Sequence, residues 1–390
     1  MVHNSYQSPG GEDVVFREEV NLLTAAGHQV CFYLRANDEI ARYGFIEKTS
    51  LSMRTVWAWD SLEGIRRVLK KEKPDLAHIH NTFPLISPSV YLACEEAGVP
   101  VVQYLHNPRL ICPAATLYRD GRVCEDCLGR SIPWPSVLHG CYRNSRVETG
   151  VVAGMLVAHR FLNTWRERVD AFVVFTNFYR GKFIAAGIPS QKLTVKPHFI
   201  APDPGPTRSV QSYALFVGRL ALEKGVLTLL DAWRDLASVP LKIRGEGPLE
   251  GRVRERAGDS SLQMELIPRL DHEQLIALFH GARFLVWPSE GYYETFGLVA
   301  VEAFACGIPV IASRVGVMEE IVQDGVTGLL FNPGEPEDLA AKVEWAWAHP
   351  EEMQAMGSRG RAEYEAKYTG ERNYEQIVAL WSRLHAAGKS

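Results

Sequence analysis

Two carboxylates eight residues apart, Glu294 and Glu302, bracket the stretch of the chain best equipped for chemistry, residues 291–313. The spacing predicts a loop, a helix from about Phe296 to Cys306, a stop at Gly307 and a strand over 308–312. Glycine is the usual left-handed residue past a helix end, and Pro309 cannot continue a helix. At the helix start the backbone amides of Thr295, Phe296, Gly297 and Leu298 form a ready anion site, and Gly297 would let a phosphate approach closely. One carboxylate could then face a sugar beside that phosphate while the other accepts hydrogen bonds from a ribose. A capped helix with one surface glutamate is the plain alternative, and spacing alone does not choose between them.

Further groups suit the same chemistry. Arg219 and Lys224 follow the apolar run 213–217, and a guanidinium plus an ammonium suit a diphosphate. Without further context they are ordinary surface charges. Gly245-Glu246-Gly247-Pro248 and, later, Ile267 follow two more apolar runs. The glycine pattern lacks the spacing of a dinucleotide fingerprint, so a nicotinamide reading fails. His80, and then His106-Asn107-Pro108-Arg109, stand at the ends of the short apolar runs 75–80 and 99–105. A lone histidine is more often structural, but ligands of doubly wound sheets collect at the strand ends. Cys112, Cys124, Cys127 and Cys141 lie within an irregular segment, 108–145, and their C-x2-C core matches tetrahedral zinc chemistry. Packing of small thiols is the alternative; a redox pair lacks a thioredoxin-like context.

The elements that must position these groups alternate strand and helix, which indicates doubly wound parallel sheets. Residues 29–34, 75–80, 99–105, 171–175 and 193–196 read as strands of a first half, and 213–217, 241–244, 284–287 and 308–312 of a second. Pro202, Pro204 and Pro206 mark a stiff linker. The division expected is 1–203, 204–369 and a last helix over 370–390 whose Tyr374, Ile377, Val378, Trp381 and Leu384 share one stripe. Residues 61–73 form an amphipathic helix whose basic side reads as a solvated face rather than a membrane contact. Residues 149–162 are the most apolar run, too short to span a bilayer, and are flanked by Arg143, Arg146, Arg160, Arg166 and Arg168. Only Met1, Val2 and His3 precede a polar loop, short for a central strand, so a start a few codons upstream is expected.

At 390 residues and net charge −4 the chain is large enough for two cores and unsuited to wholesale nucleic-acid binding. Seven cysteines and an N-terminus without an apolar h-region point to a reducing compartment, the cytoplasm.

Glu294-x-Phe296-Gly297 followed by Glu302, with Pro288-Ser289 before and Gly307-x-Pro309-Val310 after, resembles the E-x7-E signature of retaining GT-B glycosyltransferases of family 4. The resemblance covers nearly the whole chain. It implies an α/β, GT-B fold: two Rossmann-like domains facing each other across a cleft, with the last helix crossing back to the first. It implies a metal-independent transferase moving a sugar, with retention, from a nucleotide-diphospho-sugar such as a UDP- or GDP-sugar to a glycan or lipid-linked acceptor. Glu294 would orient the sugar, Glu302 hold the ribose, and Arg219 and Lys224 bind the diphosphate with the amides near Gly297. Gly245 and Ile267 would lie near the nucleoside, and Gly10 and Gly11 near the donor phosphates, although a Gly pair alone is an ordinary turn. His106 would sit beside the donor sugar, with His80, Asn107 and Arg109 on the acceptor side. The cysteines would be structural, and a peripheral membrane surface stays in play as a partner. A GT-B nucleotide-sugar epimerase and a non-catalytic sugar-nucleotide-binding scaffold are the rivals. A glycosidase is weaker, because no carboxylate pair stands at glycosidase spacing.

Overall fold

The computed structural model describes residues 1–7, 10–207, 211–292 and 294–387; Pro9 beside the Gly10-Gly11 turn and Tyr293 in the 291–313 stretch lie outside them. The chain forms two compact units, one of Met1–Leu117, Cys124–Lys196 and Tyr374–Ser390, the other of Tyr118–Val123 and Pro197–Asn373.

The first unit holds β1 (Val2–Ser5), β2 (Tyr33–Ala36), β3 (Ala77–Ile79) and β4 (Val101–Tyr104). A hairpin of β5 (Tyr118–Arg119) and β6 (Arg122–Val123) groups with the second unit, and β7 (Ala171–Val174) and β8 (Leu193–Val195) complete the first sheet. Its strands run parallel in the order β2-β1-β3-β4-β7-β8. β3, β4 and β7 are buried along their whole length, as strands covered on both faces must be.

Two strand limits differ from the sequence reading. β1 runs on through His3 and Asn4, both in the core, where one side-chain nitrogen of each finds a partner. Asn4 Nδ2 donates to Asn37 Oδ1 and to the Phe83 carbonyl, each at 2.8 Å, and His3 Nε2 lies 2.9 Å from Asp13 Oδ1. β2 begins at Tyr33 rather than at residue 29, because Tyr33 is the partner of Val2, where β1 itself begins.

The helix Trp59–Glu72 buries Leu62, Ile65 and Leu69, and its basic face is tied to acids, Arg66 bridging to Glu96 at 2.7 Å. The last helix, Gly370–Ala387, packs within the first unit through buried Ile377 and Leu380. Val378, expected in that stripe, is 37% exposed; Leu380 fills the inward position instead.

The second unit holds β9 (Tyr213–Val217), β10 (Leu241–Arg244), β11 (Met264–Ile267), β12 (Ala282–Trp287), β13 (Val310–Ser313) and β14 (Gly328–Phe331), parallel in the order β11-β10-β9-β12-β13-β14. Its core closes around Trp233, fully buried, whose indole donates to the Val239 carbonyl at 3.0 Å. From β9 the chain winds out to β11, then returns to β12 on the other side of β9. That reversal is where a doubly wound sheet opens a crevice at its strand C-termini. In the first sheet the equivalent reversal separates β1 from β3. Among the described residues no helix is long and apolar enough to cross a membrane.

Candidate functional site

The loops after β9 and β12 meet at the reversal of the second sheet. A short turn, Leu222–Lys224, ends at Gly225, whose φ of 67° is left-handed. A Cβ on Gly225 would stand 1.8 Å from the Pro288 carbonyl oxygen, so this glycine is what lets the two loops touch. The contact is tied by the Glu290 N–H, which donates to the Glu223 carbonyl at 3.1 Å. Docked this way, Lys224 Nζ donates to Glu294 Oε1, which also accepts from Ser289 Oγ at 3.1 Å and Trp287 Nε1 at 3.3 Å. Burial pushes the Glu294 carboxyl up, but Lys224 and these hydrogen bonds outweigh it and hold it below its ordinary range. Two groups expected to serve phosphate and sugar separately are thus one ion pair.

The helix that follows spans Leu298–Ala305, beginning two residues later than Phe296 because Gly297 stands before it at φ 111°. A Cβ on Gly297 would lie 2.1 Å from the Trp287 ring. The missing side chain therefore makes room for Trp287, besides any room it leaves for a ligand. Phe296 is buried edge-on against the rings of His198, at 5.1 Å between centroids, and Tyr368, at 5.8 Å, which makes it a packing residue. The first intrahelical bond to the Gly297 carbonyl comes from Ala300, so the amides of Leu298 and Val299 precede the helical ladder. Gly307 ends the helix at φ 72°, as its sequence position suggests.

Glu302, one turn in, is partly buried, and its carboxyl is pushed up to about 7 by burial. A carboxyl raised from 4.5 to about 7 favours the folded state most below pH 4.5 and loses that contribution as pH rises through 7. It is a hydrogen-bonding group held half-protonated near neutral pH. The Arg219 side chain is 56% exposed, with Nη1 3.8 Å from Glu223 Oε1. Gly245 is required by the fold: a Cβ there would meet the Gly218 carbonyl oxygen at 1.9 Å, where the β9 and β10 loops dock. Ile267 ends the edge strand β11, two strand spacings, roughly 10 Å, from β9. Trp287 and Ser289, which fix Glu294, carried only a weak signal as flanks of the loop.

In the first unit, His80, His106, Asn107 and Arg109 line one cavity of about 50 Å³ together with Asn81 and Phe83. His80 Nδ1 lies 3.0 Å from His106 Nε2, and the rings stack with centroids 5.1 Å apart. Asn107 Oδ1 accepts from the Arg109 N–H at 3.1 Å, and the Arg109 guanidinium sits 4.1 Å above the Phe83 ring. Across β1, the Gly10 N–H donates to Asp13 Oδ2 at 2.9 Å, and a Cβ on Gly10 would meet nothing within 4 Å. Gly11 begins the helix Gly11–Ala25. Glu12, next to it, was missed: Asn107 Nδ2 is 3.4 Å from Glu12 Oε2, and burial, with Asp13 beside it, pushes its carboxyl up to about 8.

Of the four cysteines, Cys127 is buried, and its thiol is raised by burial and further by Cys112 and Cys141. Among the described residues, Glu19, His78 and His80 form a group whose ligand atoms all lie within 4.8 Å of one another.

Replacing Lys224 by Met leaves a buried carboxylate unpaired and is expected to cost about 3–5 kcal/mol, whereas adding Glu294→Gln should recover part of that loss. Urea denaturation of both variants measures this. A single-variant loss below about 1 kcal/mol would show that the pair does not hold the loops.

Residues 9–203 match the description "Glycosyltransferase Family 4" and residues 203–363 match "Glycosyl transferases group 1". An uncharacterized glycosyltransferase of Methanocaldococcus jannaschii is 36% identical over 174 residues, 44% of this chain and 48% of that protein. The D-rhamnosyltransferase WbpZ of Pseudomonas aeruginosa is 31% identical over 159 residues, 40% and 42% of the two chains. The matched region thus spans about half the length of these curated relatives. Among solved structures, a glycosyltransferase from Rickettsia africae superposes with a TM-score of 0.71 at 16% identity, covering 98% of this chain and 97% of that one. Anabaena HepE, solved with UDP and glucose, gives 0.64 at 17% identity, with 98% of each chain covered. These likenesses establish the fold, and the sequence matches establish the lineage: the chain belongs to the group 1 glycosyltransferases of the GT-B fold.

Proposed function

We propose that this chain transfers a sugar, with retention of configuration, from a nucleotide-diphospho-sugar held by the second unit to a glycan or lipid-linked acceptor held by the first. The observation that carries the reading is the Lys224–Glu294 pair at the sheet reversal, beside the amides that open the helix Leu298–Ala305. Lys224, with Arg219 approaching from its exposed position, neutralises the diphosphate as the glycosidic bond breaks, so the reading needs no catalytic metal. Glu294 orients hydroxyls of the donor sugar, and Glu302 accepts hydrogen bonds from the ribose. The departing phosphate takes the acceptor's proton. HepE, the structural neighbour solved with UDP and with UDP-glucose, supports a uridine nucleotide as donor.

Glu302 supplies the test. A carboxyl at about 7 that becomes an acceptor for ribose hydroxyls ionises on binding, so UDP should release a proton at pH 7. Calorimetry in buffers of different ionisation enthalpy reads this directly. Release is expected at pH 7, near zero at pH 9, and absent in Glu302→Gln. UDP and GDP both failing to bind would sink the reading.

A lipid-linked acceptor is supported by the surface of the first unit. On the helix Arg146–Phe161, Val147 is 79% exposed and Phe161 87% exposed. The neighbouring helix Trp134–His139 presents Trp134 and Leu138 and is tied to it by Arg146 Nε, which donates to the Leu138 carbonyl at 3.0 Å, while Arg160 Nη1 donates to the Arg130 carbonyl at 2.7 Å in the segment before that helix. Of the five flanking arginines, Arg160 is spent on such carbonyls and Arg168 on Glu95 at 2.7 Å; Arg143, 3.6 Å from Glu148, and Arg146, bonded to the Leu138 carbonyl, stay exposed, as does Arg166. Apolar tips among arginines fit an anionic lipid surface. Co-sedimentation with phosphatidylglycerol vesicles should be strong at low salt and fall several-fold in Phe161→Ser; equal binding to phosphatidylcholine would refute this. Zinc at Cys112, Cys124, Cys127 and Cys141 is proposed as an ordering element for their segment, and metal analysis of protein purified without chelator decides it.

A further inference from the structure

The segments that follow β1 and β4 leave two buried polar atoms of opposite kind without a hydrogen-bond partner among the described residues. One is Oε1 of Glu12, in the first turn of the helix Gly11–Ala25; the other is Nε of Arg109, in the turn Pro108–Leu110. Asn107 spans the two residues. Its Nδ2 lies 3.4 Å from Glu12 Oε2, and its Oδ1 accepts the Arg109 N–H at 3.1 Å. Asn107 and Arg109 both line the first unit's cavity. Leaving a buried donor or acceptor unmade is costly, and a ligand that supplies both partners removes the cost.

The surroundings hold these groups in place and set what they can bind. The Arg109 guanidinium lies 4.1 Å from the Phe83 ring and 5.4 Å from that of Tyr142, and Nη1 donates to the Pro113 carbonyl at 2.9 Å. What Nε still offers is one N–H in the guanidinium plane. The helix start is already capped, because the Gly10 N–H donates to Asp13 Oδ2 at 2.9 Å. Burial pushes the Asp13 carboxyl up, but His3 and the Gly10 N–H outweigh it and hold it below its ordinary range, so a negative charge stands beside Glu12. The Tyr6 phenol, raised by burial and then by Glu12, adds no charge.

This arrangement discriminates between ligands. A phosphate or carboxylate would meet Asp13 and the open oxygen of Glu12. An ammonium would meet the Arg109 guanidinium. A hydroxyl can donate to Glu12 Oε1 or accept from Arg109 Nε, and a sugar ring carries enough hydroxyls to do both without bringing charge.

We propose that Glu12 is a specificity-determining residue for the acceptor: with Asn107 and Arg109 it forms a subsite for the hydroxyls of a neutral sugar, one donating to Glu12 Oε1 and another accepting from Arg109 Nε. This deepens the transferase reading and rests on it. A lipid-linked acceptor presents a sugar, not its phosphate, to this subsite.

The test titrates the full chain, without nucleotide or donor, and follows glutamate labelled with ¹³C at Cδ, with the Glu12 signal assigned through Glu12→Gln. The probes are the methyl glycosides of glucose, mannose, galactose, rhamnose and N-acetylglucosamine, with inorganic phosphate and glucosamine as separate arms. At least one glycoside should shift the Glu12 signal saturably. Glu12→Ala should weaken the binding of that glycoside about tenfold, the loss of one hydrogen bond to a buried group. The deoxy analogue lacking the bonded hydroxyl should bind wild type as weakly, and lose nothing further in Glu12→Ala, because the two changes remove the same contact. A Glu12 signal moved only by phosphate, only by glucosamine or by none of the probes overturns the proposal. So does a folded Glu12→Ala protein that binds the glycoside as well as wild type. Should that variant not fold, the Glu12 shift and the deoxy series on wild type decide. These readings stand apart from the transferase reading, which fails on nucleotide binding.

Discussion

A single carboxylate taken out of water, Glu19, ties the first unit together. Four stretches distant in sequence converge on it: its own helix, β3 through His78 and His80, the end of β8 through Lys196, and the last helix through Trp381. Burying a carboxylate and an ammonium costs several kcal/mol each, and only mutual attraction plus hydrogen bonds on the remaining lone pairs offsets that. The arrangement tolerates no partial assembly, since an unpaired member would be a bare charge in an apolar core. The C-terminal helix therefore belongs to the first unit for a polar reason as well as an apolar one, because without the Trp381 donor His78 loses the partner that fixes its tautomer.

The second unit solves a different problem, bringing two loops of opposite charge into register. Glycines do this by permitting close approach: Gly225 against the Pro288 backbone, Gly245 against the Gly218 backbone, Gly297 against the Trp287 ring. Each removes a Cβ where another chain segment must pass, and each holds a loop at the strand ends where an α/β sheet binds its ligands. The chemistry that results is local. Lys224 keeps Glu294 ionised, whereas Glu302, with burial as its only perturbation, stays close to half-protonated near neutrality. Two glutamates eight residues apart thus differ in charge state through surroundings alone.

Much of this was legible in the sequence where a local rule decides. β9 and β10 fall on the apolar runs 213–217 and 241–244, and Gly307 stops its helix as expected. The rule fails where a partner decides. β1 passes through His3 and Asn4, one side-chain nitrogen of each being bonded to a residue outside the strand, and β2 starts where β1 dictates. The pairing of Lys224 with Glu294 joins residues 70 apart in sequence, and no periodicity encodes it. Glu19 left one trace: it occupies the inward stripe of its helix with Val15, Phe16 and Leu23, a position where the pattern calls for an apolar residue. Lys196 left none, being one basic residue at the end of a short strand.

The proposed transfer breaks a nucleotide-sugar bond beside Glu294 with the configuration kept. The direct measurement is ¹H NMR of UDP- and GDP-sugars incubated with the protein in water, following nucleotide release and the anomer of the first sugar to appear. Retaining transfer predicts that one donor is consumed to nucleoside diphosphate, that the first-formed free sugar has the donor's own anomeric configuration, and that Glu294→Gln slows this without weakening UDP binding. First appearance of the opposite anomer, or release unaffected by Glu294→Gln, would contradict it.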